Sequence, residues 1–135
     1  MKTRKQLKNA LDRICPLVVK ERDGWTCQRC NTPARGKGCH WSHVFGRRKY
    51  RIRWDLLNGV CLCAGCHRYF HSNPMLFTNW FGQKFHARYL YLIEQVVDWD
   101  GFVRPRHNLT AKVKDTEMEQ WLAFLKEKLK ELKGE

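Results

Sequence analysis

No apolar run in this 135-residue chain approaches the eighteen or so residues that a membrane-spanning helix needs, which excludes a helical span. There is no low-complexity tract, and the doubled CxxC is the one internal echo, so the length fits one domain at roughly 100–200 residues per domain. Acidic residues are scarce. Thirteen Asp and Glu stand against 26 Lys and Arg, a formal charge of +13 and a pI near 9.7. A surface charged merely for solubility needs a smaller, more mixed balance. The excess points to a polyanionic partner, nucleic acid first.

Met1-Lys2-Thr3-Arg4-Lys5 leads into a charged amphipathic stretch and not into an apolar signal core, so the expected location is the cytosol. Thiols stay reduced there. Seven cysteines then argue for metal ligands and a few buried thiols more than for disulfides.

Leu7, Ala10, Leu11, Ile14 and Val18 recur at helical spacing from Gln6 to Val18. Cys15-Pro16 predicts a kink, or a second short helix from Pro16 to Arg22, because proline disfavours the helical region for the residue before it. Asp23-Gly24 reads as a turn, and Asn31 to Gly38 as a loop. Cys39 to Phe45 and the alternating Tyr50-Arg51-Ile52-Arg53-Trp54 are expected to pair as a hairpin. Ala64 to Ser72 is a predicted helix closed by Asn73-Pro74. Two helices follow, broken near Gly82, with aromatics from Phe77 to Tyr89 at core spacing. A less regular link, Asp98 to Lys114, contains Gly101 and Pro105. The last helix opens on the capping-box pattern Thr116-Glu117-Met118-Glu119 and ends at Gly134. Its stripe of Met118, Trp121, Leu122, Leu125, Leu129 and Leu132 could pack on the domain or on a second copy, making a homodimer.

Two CxxC turns offer four soft ligands for a tetrahedral zinc: Cys27, Cys30, Cys63 and Cys66. Cys61 competes with them, but Cys61 and Cys63 make a CxC; Cys15 and Cys39 read as buried thiols. Zinc with four protein ligands serves shape and substitutes for a core that a small domain cannot supply. His67 and His71, at i and i+4, lie on one helix face where two imidazoles can converge on a further ion. His43 is expected on the hairpin facing them. Taken singly, His40, His86 and His107 read as structural or surface residues.

His43, Asn58, His67 and His71, set within the paired cysteines, resemble the HNH endonucleases over about Trp25 to Asn73. The resemblance implies an α+β fold with a small ββα-metal core and a four-cysteine zinc knuckle (residues 25–73), flanked by an N-terminal helical segment (1–24) and a C-terminal helical extension (74–135). It implies a nuclease in which His43 is the general base, Asn58 orients it, and His67 with His71 holds a catalytic Mg2+ or Mn2+, leaving 5′-phosphate and 3′-hydroxyl ends on DNA. Ser42-His43-Val44-Phe45-Gly46-Arg47-Arg48, Arg53-Trp54-Asp55 and the Trp80-to-Phe85 region carry a weaker likeness to the NinG/Rap phage recombination nucleases. That likeness implies branched DNA as substrate and, for a phage-encoded protein, the host cytoplasm.

Many HNH enzymes place a His or Asp ligand where this chain has Ser42. Water, Ser42 itself or His40 could complete the shell, though strand alternation puts His40 on the face opposite His43. Arg47, Arg48, Lys49, Arg51 and Arg53 put five positive charges in seven residues, suited to phosphate contact, with Arg51 and Arg53 tracking a backbone from one strand face. The alternatives are a simple nicking or double-strand endonuclease and a catalytically inert zinc-knuckle DNA-binding protein.

Overall fold

The computed structural model describes residues 1–96 and 112–135; His107, Gly101, Pro105 and most of the expected link lie outside them. The described residues form a small α+β protein of five helices and one two-stranded antiparallel sheet: α1 (Arg4–Arg22), β1 (Cys39–His43), β2 (Gly59–Cys63), α2 (Ala64–Ser72), α3 (Pro74–Lys84), α4 (His86–Val96) and α5 (Asp115–Lys133).

Helix α1 opens on a capping box in which Thr3 and Gln6 satisfy each other's backbone N–H groups, a T-x-x-Q signal that the apolar spacing alone does not reveal. It then runs as one helix through Pro16, so the separate second helix that was the alternative to a kink does not form. A helix-interior proline costs about 3 kcal/mol. Against it stand Leu7, Leu11, Cys15, Val18 and Val19, all buried, at roughly 1.5–3 kcal/mol for each large apolar side chain. Burial wins.

Much of that burial is against α5. Leu7, Leu11, Cys15 and Val18 pack with Val113, Met118, Leu122 and Leu125, and Arg4 pairs with Asp115 at 2.7 Å. Met118, Leu122 and Leu125 of the α5 stripe are therefore spent within the chain, whereas Leu132 at its end is exposed. The expected capping box does not form: α5 starts at Asp115, so Thr116 is already helical, and Lys114 caps without a side-chain bond. Gly134 ends the helix as expected, in the left-handed conformation at φ 76°.

The hairpin differs from expectation. β1 stops at His43, and its partner is Gly59–Cys63, in the register Cys39 to Cys63 and His43 to Gly59. Tyr50 to Trp54 is a run of turns. Ile52 and Trp54 are buried, but so is Arg53, because its guanidinium grips Asp12 of α1 at 2.7 and 3.1 Å. The alternation therefore marks a loop clamped on both sides. β2 shows no alternation because Gly59 to Leu62 are all buried. Its outer edge is covered: the Cys61 N–H donates to Asp23 Oδ2 at 2.8 Å, and Arg22 donates to the Gly59 carbonyl at 2.7 Å.

Around the far end of the sheet, Val60, Leu62, Phe70, Phe77, Phe81 and Leu92 form a second core, so Phe77 and Phe81 are packing residues. Helix α3 passes through Gly82 and breaks at Phe85 instead. Cys39 and Cys61 are joined as a disulfide, where Cys39 was expected as a free thiol and Cys61 as a competing ligand.

Candidate metal centre and histidine groove

The segment Trp25 to Pro33 is a tight knuckle: Thr26 bridges Pro33, the Cys27 N–H donates to the Thr32 carbonyl, and the Asn31 N–H returns to the Cys27 carbonyl at 2.9 Å. Asn31 takes φ 61°, a left-handed conformation that Asn tolerates. This turn presents Cys27 and Cys30. The second pair comes from the junction of β2 and α2, where Cys63 caps the helix and its sulfur accepts from the Cys66 N–H at 3.4 Å. The Gln28 N–H, bonded to the Cys61 carbonyl at 3.0 Å, holds the two turns together.

All four sulfurs lie within 4.8 Å of one another, as the sequence spacing led us to expect. Ligands 2.3 Å from a tetrahedral zinc stand roughly 3.8 Å apart. Cys30 Sγ and Cys63 Sγ are 3.8 Å apart, so the group is the right size for the ion. Hydrogen bonds from Thr32 hold the Cys30 thiol down to about 6, and burial pushes Cys66 up to about 12. A coordinated cation favours the thiolate at both. Arg29 Nη1 stands 3.6 Å from Cys66 Sγ and offsets part of the negative charge that four thiolates bring.

One residue past Cys66, His67 turns into a groove of about 790 Å³ shared with His71, Ser42, Trp41 and His43. His43, the last residue of β1, is half-buried there against Trp41, ring centroids 4.0 Å apart. Its Nε2 has no hydrogen-bond partner among the described residues. Burial, then the nearby positive charges of Arg47 and Arg53, push its pKa down to about 4, so the ring is neutral at pH 7. A neutral imidazole keeps a lone pair, which is what a proton acceptor requires.

Asn58 is fully buried, and its side-chain hydrogen bonds go to backbone and not to the His43 ring. Its Oδ1 accepts from the Phe45 N–H at 2.8 Å, and its Nδ2 donates to the Phe45 and Ile52 carbonyls, each at 3.1 Å. It fixes the backbone immediately after His43.

The basic cluster divides. Arg47, Arg48 and Lys49 line the groove beside His43. Arg51 pairs with Glu117 of α5 at 2.9 Å, and Arg53 is buried against Asp12, so the shared strand face expected of Arg51 and Arg53 does not exist. Sequence reasoning missed the place of two residues here. Asp12 lies 41 positions from Arg53, and no local pattern announces their pairing. His40, expected as structural or surface, places its Nδ1 2.9 Å from Nδ1 of His67.

The chain is thus a small α+β protein with a four-cysteine group able to hold a structural metal such as zinc, beside a basic groove rich in histidine. No family model, curated protein or solved structure matches it.

Proposed function

We propose that the chain is a metal-dependent DNA endonuclease of the HNH type. The observation that carries this reading is a groove in which a neutral His43 stands together with His67, His71 and three basic side chains. His43 takes a proton from a water placed against a phosphodiester phosphorus. The P–O bond to that water forms, the bond to the 3′ oxygen breaks, and the ends are 5′-phosphate and 3′-hydroxyl. Arg47, Arg48 and Lys49 bind the phosphates on either side and set the strand in line. Asn58 acts at one remove, through the backbone of Phe45. His67 and His71 hold a divalent ion, Mg2+ or Mn2+ in the first instance, which when bound supplies positive charge to the leaving oxygen.

The competing reading is an inert DNA-binding module, favoured by Ser42 in place of a ligand. The His43→Ala variant separates the two. On the proposal it keeps its zinc and its DNA affinity but loses cleavage of supercoiled DNA and of four-way junctions. A wild-type protein that binds both and cuts neither with any divalent ion sinks the enzyme. Equal cutting of a junction and its component duplexes removes any role specific to branched intermediates.

A further inference from the structure

Helix α1 packs on α5 through Leu7, Leu11, Cys15 and Val18, and beside that seam the two helices leave a groove of about 400 Å³. Ala10, Ile14 and Leu17 line it from α1 at i, i+4 and i+7, with Leu122 and Leu129 opposite on α5. Ala10, Ile14 and Leu129 are half-buried and Leu17 is 40% exposed, so much of this apolar floor is open to water. Lys2, Arg13 and Lys126 stand round it, all exposed, and no carboxylate is among the side chains that line it. At about 100° per residue, the α1 positions of the floor lie roughly 150° round the helix from Asp12, the residue of α1 that lines the histidine groove. The two grooves therefore open on different sides of α1.

An apolar floor inside a cationic rim selects its occupant by chemistry. A DNA duplex brings phosphates but no apolar side chain to fill the floor. A bilayer is flat and does not reach a floor recessed between two helices. A second copy brings a charge of +13 against three cations. An amphipathic protein helix carries both parts: apolar residues at helical spacing to match those on α1, and Asp or Glu on its flanks to meet the rim. We propose that the α1–α5 groove is the docking site of an acidic amphipathic helix from a partner protein, and that it stays open while DNA occupies the histidine groove. The floor supplies affinity and the rim supplies selection, because exposed ion pairs contribute little each whereas a desolvated apolar anchor contributes much. Leu17 therefore matters more than any one of the cations.

The docking site does not depend on the nuclease reading, and its test needs no cleavage. Zinc-loaded full-length protein is titrated into a fluorescein-labelled peptide of about eighteen residues, long enough to take up a helix on binding, with Leu at every third or fourth position and Glu and Ala between. Anisotropy follows the binding. Two control peptides accompany it: the same residues in an order without helical periodicity, and the periodic peptide with Gln for each Glu. The acidic periodic peptide should saturate, with an affinity more than about tenfold above that of either control. Leu17→Gln should weaken it by more than about tenfold and Arg13→Ala by about two- to fivefold, with zinc content and thermal midpoint kept, since both side chains are exposed. Excess duplex DNA should leave the peptide bound. Equal affinity for the periodic and non-periodic acidic peptides would show only attraction to a basic chain and overturns the proposal, and that comparison needs no variant to fold. Wild-type affinity in Leu17→Gln overturns it too. Full displacement by duplex would assign the groove to DNA, binding to phosphatidylserine vesicles that Leu17→Gln abolishes would assign it to a membrane, and self-association that the peptide abolishes would assign it to a second copy; each of these also overturns the proposal.

Discussion

His43 carries two pH effects with one cause. Its folded-state pKa near 4 lies below the ordinary value of 6.5, chiefly through burial and then through Arg47 and Arg53. The unfolded chain therefore takes up the proton first, and the stability that depends on a neutral His43 is complete above pH 6.5 and lost as pH falls toward 4. The loss is on the order of 3 kcal/mol. A His43→Leu variant should show a flatter fall in denaturation midpoint between pH 6.5 and 4 than the wild type, with zinc loss on acidification common to both and so cancelled in the difference. Nuclear magnetic resonance should find the His43 ring titrating well below 6.5; a midpoint at 6.5 or above would mean that the ring is not desolvated. Asn58 is different in kind. Its three bonds go to buried backbone, so Asn58→Ala strands one N–H and two carbonyls and should cost about 2–4 kcal/mol. Activity and thermal stability should fall together in that variant, whereas His43→Ala loses activity with its fold kept.

Among the elements, β2 tolerates least change. A Cβ on Gly59 would lie 2.6 Å from the Trp41 indole nitrogen and 3.1 Å from a Val19 methyl, and the indole is a rigid ring packed on His43. Gly59→Ala should therefore cost about 1–3 kcal/mol in overpacking and shift the His43 ring resonances; unchanged resonances would show that Trp41 moves away without consequence. The same strand explains where sequence reasoning stopped. The cysteine centre was legible because each CxxC fixes its geometry within four residues and ligand chemistry does the rest. Helices α1 and α5 were legible from the spacing of their apolar residues, and α2 from the Asn73-Pro74 that closes it. β2, buried on both faces, has no period to read. Arg51-Ile52-Arg53-Trp54 had one, but it arose from Asp12 and α1 closing over a turn. His40 meets His67 across 27 residues and Asp12 meets Arg53 across 41, both set by packing and invisible to any window of sequence.

At the scale of the whole molecule, the four-cysteine group and the charge lie in different parts of the fold. Cys27 and Cys66 belong to the second core, with Val60, Leu62, Phe70, Phe77, Phe81 and Leu92, so removing zinc should loosen this half while the α1–α5 core persists. Hydrogen exchange after chelation should speed first in α2 and α3; uniform loss of protection would mean that the two cores unfold as one. The charge of +13 is spread widely, but the groove takes a defined part of it. Each phosphate left without its basic partner should reduce the slope of log affinity against log salt by about 0.9 on duplex DNA. Replacing Arg47, Arg48 and Lys49 together by alanine should lower that slope by roughly 2–3 and weaken binding uniformly across sequences. Arg53→Ala, by contrast, should reduce stability and leave the slope nearly unchanged, because its guanidinium is buried against Asp12. Equal slopes for the triple variant and the wild type would place the phosphates elsewhere, on the basic N-terminal turn of α1 with Lys2, Arg4, Lys5 and Lys8. The groove would then be a site that DNA does not enter, and the nuclease reading would lose its substrate.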